Sequence, residues 1–137
     1  MAISQGVCKS FKLESLQAIH DLEGDTIKVA LYSDSASLSP DTAAYTATGE
    51  VSASGYTAGG AASNVTLSQS NQTVEAVFAN VSWTADITAR GALIYNSSKA
   101  NRAIAVLNFG ADREDSSGTF TLRMPAAGSD FPILKFS

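Results

Sequence analysis

From residue 26 onward the apolar side chains recur at every second position in short runs, and clusters of Gly, Ser, Asn, Asp and Pro interrupt them. A period of two belongs to extended chain with one face turned to a core. Residues 26–32 set Ile27, Val29 and Leu31 on one face and Lys28 and Ala30 on the other, which predicts a half-buried strand. Residues 73–83 align Val74, Ala76 and Phe78, then Val81 and Trp83, with a bulge expected at Asn80. Residues 86–96 alternate through Ile87, Ala89, Gly91, Leu93 and Tyr95. Residues 102–109 are an apolar run suited to a central strand, between polar turns at 96–101 and 110–118. Val65 and Leu67 mark a shorter strand, and 119–124 and 131–136 close the chain around a turn at 125–130. Roughly seven or eight such strands predict an all-β fold, a jelly-roll-like antiparallel β-sandwich.

Ahead of these strands the period is three. Leu13, Leu16 and Ile19 form one stripe and Phe11, Ser15 and Ala18 an adjoining one, so a short N-terminal helix is expected over residues 10–22. Ser10 is placed to cap it and Gly24 to end it. The chain then reads as one domain over 1–137, with an arm and helix at 1–24. Residues 33–48 are a polar connection with Pro40, long for a structureless loop, so part of it should pair or form an interface through Leu38 and Tyr45. Residues 49–60 predict an irregular strand and turn around Tyr56, where paired glycines permit positive φ or close backbone approach.

Charge narrows the function. Charged residues make up 16% of the chain and the net charge is −4, with nine Lys and Arg scattered along it. Phosphate binding draws on clustered cations, so no nucleic-acid partner is expected. The single cysteine, Cys8, makes no intramolecular disulfide and suits a reducing compartment. No basic-then-apolar leader is visible and no apolar run approaches the ~18 residues of a membrane span, which points to synthesis in a cytoplasm and no membrane partner.

Motifs for chemistry are sparse. His20, the one histidine, is expected on the helix surface or at an interface, and it stands without a nucleophile elbow, a zinc-protease pair or a phosphate loop. Glu50 with Glu75, or Asp112, Glu114 and Asp115, are the carboxylates that a glycoside-cutting pair would use. The latter three have the composition of a solvated turn. Asp21, Glu23 and Asp25 alternate but lack the rest of a calcium loop, and Cys8 with His20 falls short of a zinc site. Asn64, Asn71, Asn80 and Asn96 begin glycosylation-like triplets that have no consequence without secretion. No catalytic, cofactor or metal residue is assigned, and a non-enzymatic role is expected. Trp83 and Tyr95 suit core or interface anchors, and Tyr32, Tyr45 and Tyr56 suit subunit contacts or loop anchors.

Several segments occur in a suggestive order: Lys28-Val-Ala-Leu-Tyr32, Gly49-Glu-Val51, Gly55-Tyr-Thr-Ala-Gly-Gly60, Val81-Ser-Trp-Thr84, Thr88-Ala-Arg-Gly-Ala-Leu-Ile-Tyr-Asn96, Asn101-Arg-Ala-Ile-Ala-Val-Leu-Asn-Phe-Gly110 and Gly118-Thr-Phe-Thr121. From about Lys28 onward the chain resembles a family of small virion structural proteins of tailed bacteriophages, most like the capsid cement, or decoration, proteins. Gly60-Ala-Ala-Ser-Asn-Val65 departs from the hydrophobic continuation expected after the glycine pair. The resemblance implies a homodimer or homotrimer on the outside of an icosahedral shell, made in the host bacterium, bridging copies of the major capsid protein. The candidate interface residues are Phe11, Tyr32, Leu38, Tyr45 and Tyr56, together with the N-terminal segment and the 33–45 loop. A tail or fibre subunit is the alternative role, and a carbohydrate-binding or glycoside-acting protein the more distant one.

Overall fold

The computed structural model describes residues 3–115, 118–124 and 134–136. Ten strands and one helix follow in the order β1 (Gly6–Val7), α1 (Lys9–Leu16), β2 (Ile27–Tyr32), β3 (Ala61–Ala62), β4 (Val65–Ser70), β5 (Thr73–Phe78), β6 (Val81–Trp83), β7 (Ile87–Asn96), β8 (Arg102–Asp115), β9 (Phe120–Leu122) and β10 (Leu134–Phe136). Every strand pair is antiparallel, and the strands form sheets ordered β1-β8-β7-β2-β3, β10-β5-β4 and β6-β9. One apolar core draws on all three sheets and on Phe11 of α1. The fold is all-β with one short helix, as the alternation predicts.

The largest sheet is organised by the β7–β8 hairpin, whose turn places Ala100 and Asn101 at positive φ. Its register slips between Ala89 and Gly91 and again between Ile94 and Tyr95, and such bulges bend the ribbon and increase its twist. β2 lies against β7 from Ile27 opposite Asn96 to Tyr32 opposite Gly91. It is buried on both faces except at Lys28, so it is an interior strand and not the half-buried one that alternation suggests. Alanine at position 30 misled the pattern: a small side chain fills an inward position as readily as it tolerates an outward one.

The helix differs from expectation. It spans Lys9–Leu16, is preceded by Cys8 with no side-chain cap, and stops where Ala18 turns to a φ of 61°. Leu13 and Leu16 face outward while Phe11 and Glu14 are buried, which reverses the stripe inferred from leucine spacing. Ser10 does not cap, and its hydroxyl is buried without a hydrogen-bond partner. Gly24 sits instead in a turn closed by its amide donating to the Asp21 carboxylate.

Three further expectations shift. Residues 79–80 carry the chain from one sheet to another between β5 and β6, so Asn80 marks a crossing and not a bulge. β8 continues to Asp115 through residues expected in a turn. The stretch 49–60 contains no named strand, although Glu50 forms a bridge with Tyr32. The expected turn at 125–130 and residues 131–133 of the last expected strand lie outside the described residues.

Candidate functional site

Two polar clusters hold the irregular parts of the chain to the sheets. The first gathers around Glu50, in the long connection between β2 and β3. Glu50 Oε1 accepts from the Tyr45 hydroxyl at 2.5 Å. Oε2 accepts from the Tyr56 hydroxyl at 2.6 Å and from the Gly59 amide at 2.7 Å. Tyr56 Oη in turn accepts the Leu31 amide at 2.9 Å, which ties the connection to β2. Tyr95 donates to the Gly59 carbonyl and stacks on Tyr45 with ring centroids 4.9 Å apart. Tyr32 donates to the Thr46 carbonyl at 2.6 Å. All four tyrosines of the chain thus close on one stretch of backbone.

The local sequence explains the close approach. A side chain at Gly60 would collide with the Val29 carbonyl, and one at Gly49 would meet the Ala36 backbone. Both glycines have φ near 80°, where L side chains are strained. Burial raises all four phenols above their ordinary pKa, and the Glu50 carboxylate beside them adds to the rise. The hydroxyls therefore remain protonated donors. With two phenols and an amide donating to it, the Glu50 carboxylate braces the connection from both oxygens.

The second cluster joins α1 and the segment after it to the β7–β8 turn. Glu14 accepts from Arg102 Nη1 and lies against His20 Nε2, both at 2.9 Å. The Asn96 side-chain amide donates to Asp25 Oδ2 at 2.8 Å while its Oδ1 accepts the Ser98 amide at 3.0 Å. Those two bonds fix the orientation of the Asn96 amide, so its Nδ2, 3.0 Å from His20 Nδ1, must donate there. His20 then carries its hydrogen on Nε2 and gives it to Glu14. Lys99 binds both Asp25 oxygens at 2.8–2.9 Å. The Asn96 hydrogen bond, then Lys99 and the Asp21 amide, hold the Asp25 carboxyl down at about 2.

His20 therefore departs from its expected place. It follows the helix instead of riding on it, its side chain is 1% exposed, and its ring lies 4.9 Å from that of Phe11. Both ring nitrogens are engaged in structural bonds, a different arrangement from a histidine aimed at a nucleophile.

The expected interface residues divide. Phe11, Tyr32, Leu38 and Tyr56 are buried in the chain's own core, and Phe11 also borders a surface hollow. Tyr45 is half-buried against Tyr95 and Glu50. The 33–48 connection does pair: Leu38 bridges Ile3 and Ala44 bridges Arg102. Trp83 and Tyr95 are core residues, and the Trp83 ring lies against Tyr56 and Phe120 with its Nε1–H unpaired.

Glu50 sits in the tyrosine cluster, and Glu75 is buried on β5. Asp112 is exposed and 3.4 Å from Arg90, and Glu114 is exposed on β8 near Thr88. Of Asp21, Glu23 and Asp25, the last binds Lys99 and the second accepts the Leu67 amide. Among the described residues no group of three or more His, Cys, Asp or Glu side chains is arranged to hold a metal ion. Cys8 is fully buried, and burial followed by the nearby Glu14 charge pushes its thiol up to about 11.

Sequence reasoning missed the hub roles of Glu50 and Asn96. A signal for the first exists in hindsight: an acid within a Gly-rich, Tyr-flanked stretch of few charges. Asn96 had none, because its partners lie more than seventy residues earlier in the chain.

Hollows open on the surface among the described residues. One, of about 250 Å³, lies between the segment following α1 and the β10-β5-β4 sheet, lined by Phe11, Leu22, Leu67, Val74 and Leu134 among others. Another, of about 530 Å³, is bordered by Phe109, Arg113, Phe120 and Arg123. Among the described residues no helix is long and apolar enough to cross a membrane. Comparison of the chain with protein-family models, curated proteins and solved structures finds no match.

Proposed function

We propose that this chain is a capsid cement protein of a tailed bacteriophage, a non-catalytic jelly-roll-like subunit that binds the outside of the icosahedral shell and bridges copies of the major capsid protein. The observation that carries this reading is the bracing of residues 33–60. A connection of this length is ordinarily costly to order on binding, yet four tyrosines and one carboxylate already fix it against β2 and β7. A preordered surface loop on a rigid sheet is suited to docking on another protein. The order of sequence segments supports the phage setting, and the engagement of both His20 nitrogens in structural bonds supports a role without bond chemistry.

Physically, such a protein needs modest contacts only. Repeated around a closed lattice and joined through self-association as a dimer or trimer, weak contacts reinforce each other by effective concentration. Titration of purified protein into expanded and immature shells tests the reading. Saturable, stoichiometric attachment with a higher shell breakage temperature is expected. Absence of attachment to both shell forms would refute it, and attachment to tails alone would move the chain to the tail or fibre.

A further inference from the structure

Among the described residues, four large apolar side chains are exposed: Leu13 at 60%, Leu16 at 85%, Leu67 at 44% and Val74 at 37%. They are not scattered. Leu13 and Leu16, three apart, project from one side of α1, and Lys12 shares that side because it lies four residues before Leu16. Leu67 and Val74 form part of the wall of the 250 Å³ hollow, along with Phe11, Leu22 and Leu134. Ser15 belongs to the same wall, so Leu16 stands at its rim. Leu16 thus borders the apolar hollow, and Leu13 extends the apolar ridge along the exposed side of the helix.

Charge distinguishes what would fill the hollow. Its border is acidic, with Asp21 in the lining and exposed Glu23 bonded to the Leu67 amide at 3.0 Å. The ridge carries the cation Lys12. None of Lys12, Asp21 and Glu23 is in an ion pair among the described residues. The partner that complements this border is an apolar ridge with a positive charge beside it, and the chain itself bears one.

We propose that a second copy of this chain docks here, Leu13 and Leu16 of each copy entering the hollow of the other while Lys12 meets Asp21 and Glu23 of its mate. A two-fold axis demands that the same patch supply both knob and socket, and this face does. The hollow exceeds the roughly 150 Å³ that takes a benzene-sized group, so it has room for a leucine side chain. This deepens the proposed role and rests on it only where that role calls for self-association, since the interface forms without a shell.

Sedimentation equilibrium of the full chain decides it. The native protein should form a dimer, and Leu16→Lys should raise the dissociation constant at least about ten-fold, with Leu67→Lys doing the same from the socket side. Lys12→Glu should weaken the dimer several-fold, and added salt should narrow its difference from the native protein. Because Leu16 is largely exposed, its variant should keep the native circular dichroism. A monomer at about 100 μM, a closed trimer, or a dimer indifferent to both leucine variants would overturn the inference. Failure of shell binding by a protein that dimerises through this face would instead count against the cement role alone.

Discussion

The Tyr56 hydroxyl gives its hydrogen to Glu50 Oε2 across 2.6 Å and at the same atom receives the Leu31 amide at 2.9 Å. One phenol oxygen therefore couples the irregular 33–60 connection to an interior strand. The rest of the cluster repeats this device, with Tyr45 and Gly59 on the same carboxylate and Tyr95 on the Gly59 carbonyl. Proper placement of the loop thus depends on Glu50.

Replacing Glu50 by alanine strands two phenolic hydroxyls and one amide. Unsatisfied groups of this kind cost on the order of 1–3 kcal/mol each, partly recovered by water at a half-buried site, so Glu50→Ala should lose about 2–4 kcal/mol. Urea unfolding of the two proteins measures this. Glu50→Gln, which keeps an acceptor oxygen, should lose less.

The tyrosines supply a pH prediction. All four phenols are raised in the folded chain, by burial first and by Glu50 with it. Above an ordinary phenol pKa near 10, the unfolded chain gives up protons that the native chain keeps, so the native state binds more and stability falls as pH rises. The phenolate absorbance should therefore stay low in native protein past that point and appear together with loss of the fold. Normal titration of all four in folded protein would contradict the cluster.

Asp25 works in the opposite direction. Its carboxyl is held at about 2 against an ordinary value of 3.8, chiefly by Asn96 and then by Lys99. Its contribution is fully present above about pH 4 and is lost as pH falls toward 2, because the unfolded chain takes up the proton first. Asn96→Ala removes the leading cause and also a fully buried bridge to His20. That variant should lose about 2–4 kcal/mol near neutrality and show a shallower acid-dependent decline, read from urea midpoints across pH.

Cys8 should be silent in native protein. The thiol is fully buried and pushed up to about 11, so little thiolate exists near neutrality and none is accessible. A thiol-reactive chromophore should label it at the rate of unfolding, and fast labelling would contradict the packing between α1 and β8.

The strands were legible because alternation survives wherever one face is wet: β6 and the odd-numbered residues of β7 follow it, whereas in β5 Val74 is exposed and Glu75 is buried beside Ala76. It failed at β2 and the second half of β7, where both faces are covered and burial no longer alternates. The helix was legible in kind but not in face. Leucine spacing marked one stripe through Leu13 and Leu16, whereas Phe11 of the adjoining stripe and the ion-paired Glu14 are the residues that turn inward. Charge is a poor guide there, because a carboxylate held by Arg102 and His20 is buried with its partners. The tyrosines were recognisable as anchors, but what they anchor to was not: Tyr95 reaches Gly59 across thirty-six residues. Contacts of that span depend on the sheet order β8-β7-β2, which alternation alone does not specify.

The role we propose for this protein is to cover a phage shell. Electron cryomicroscopy of purified virions that carry this chain, with the subunit located by fitting its fold, tests that proposal most directly. Density for the β-sandwich at a fixed copy number over the junctions between capsid subunits is the predicted result. Virions whose capsid surface lacks this density, with the protein found only in infected-cell extract or at the tail, would contradict it.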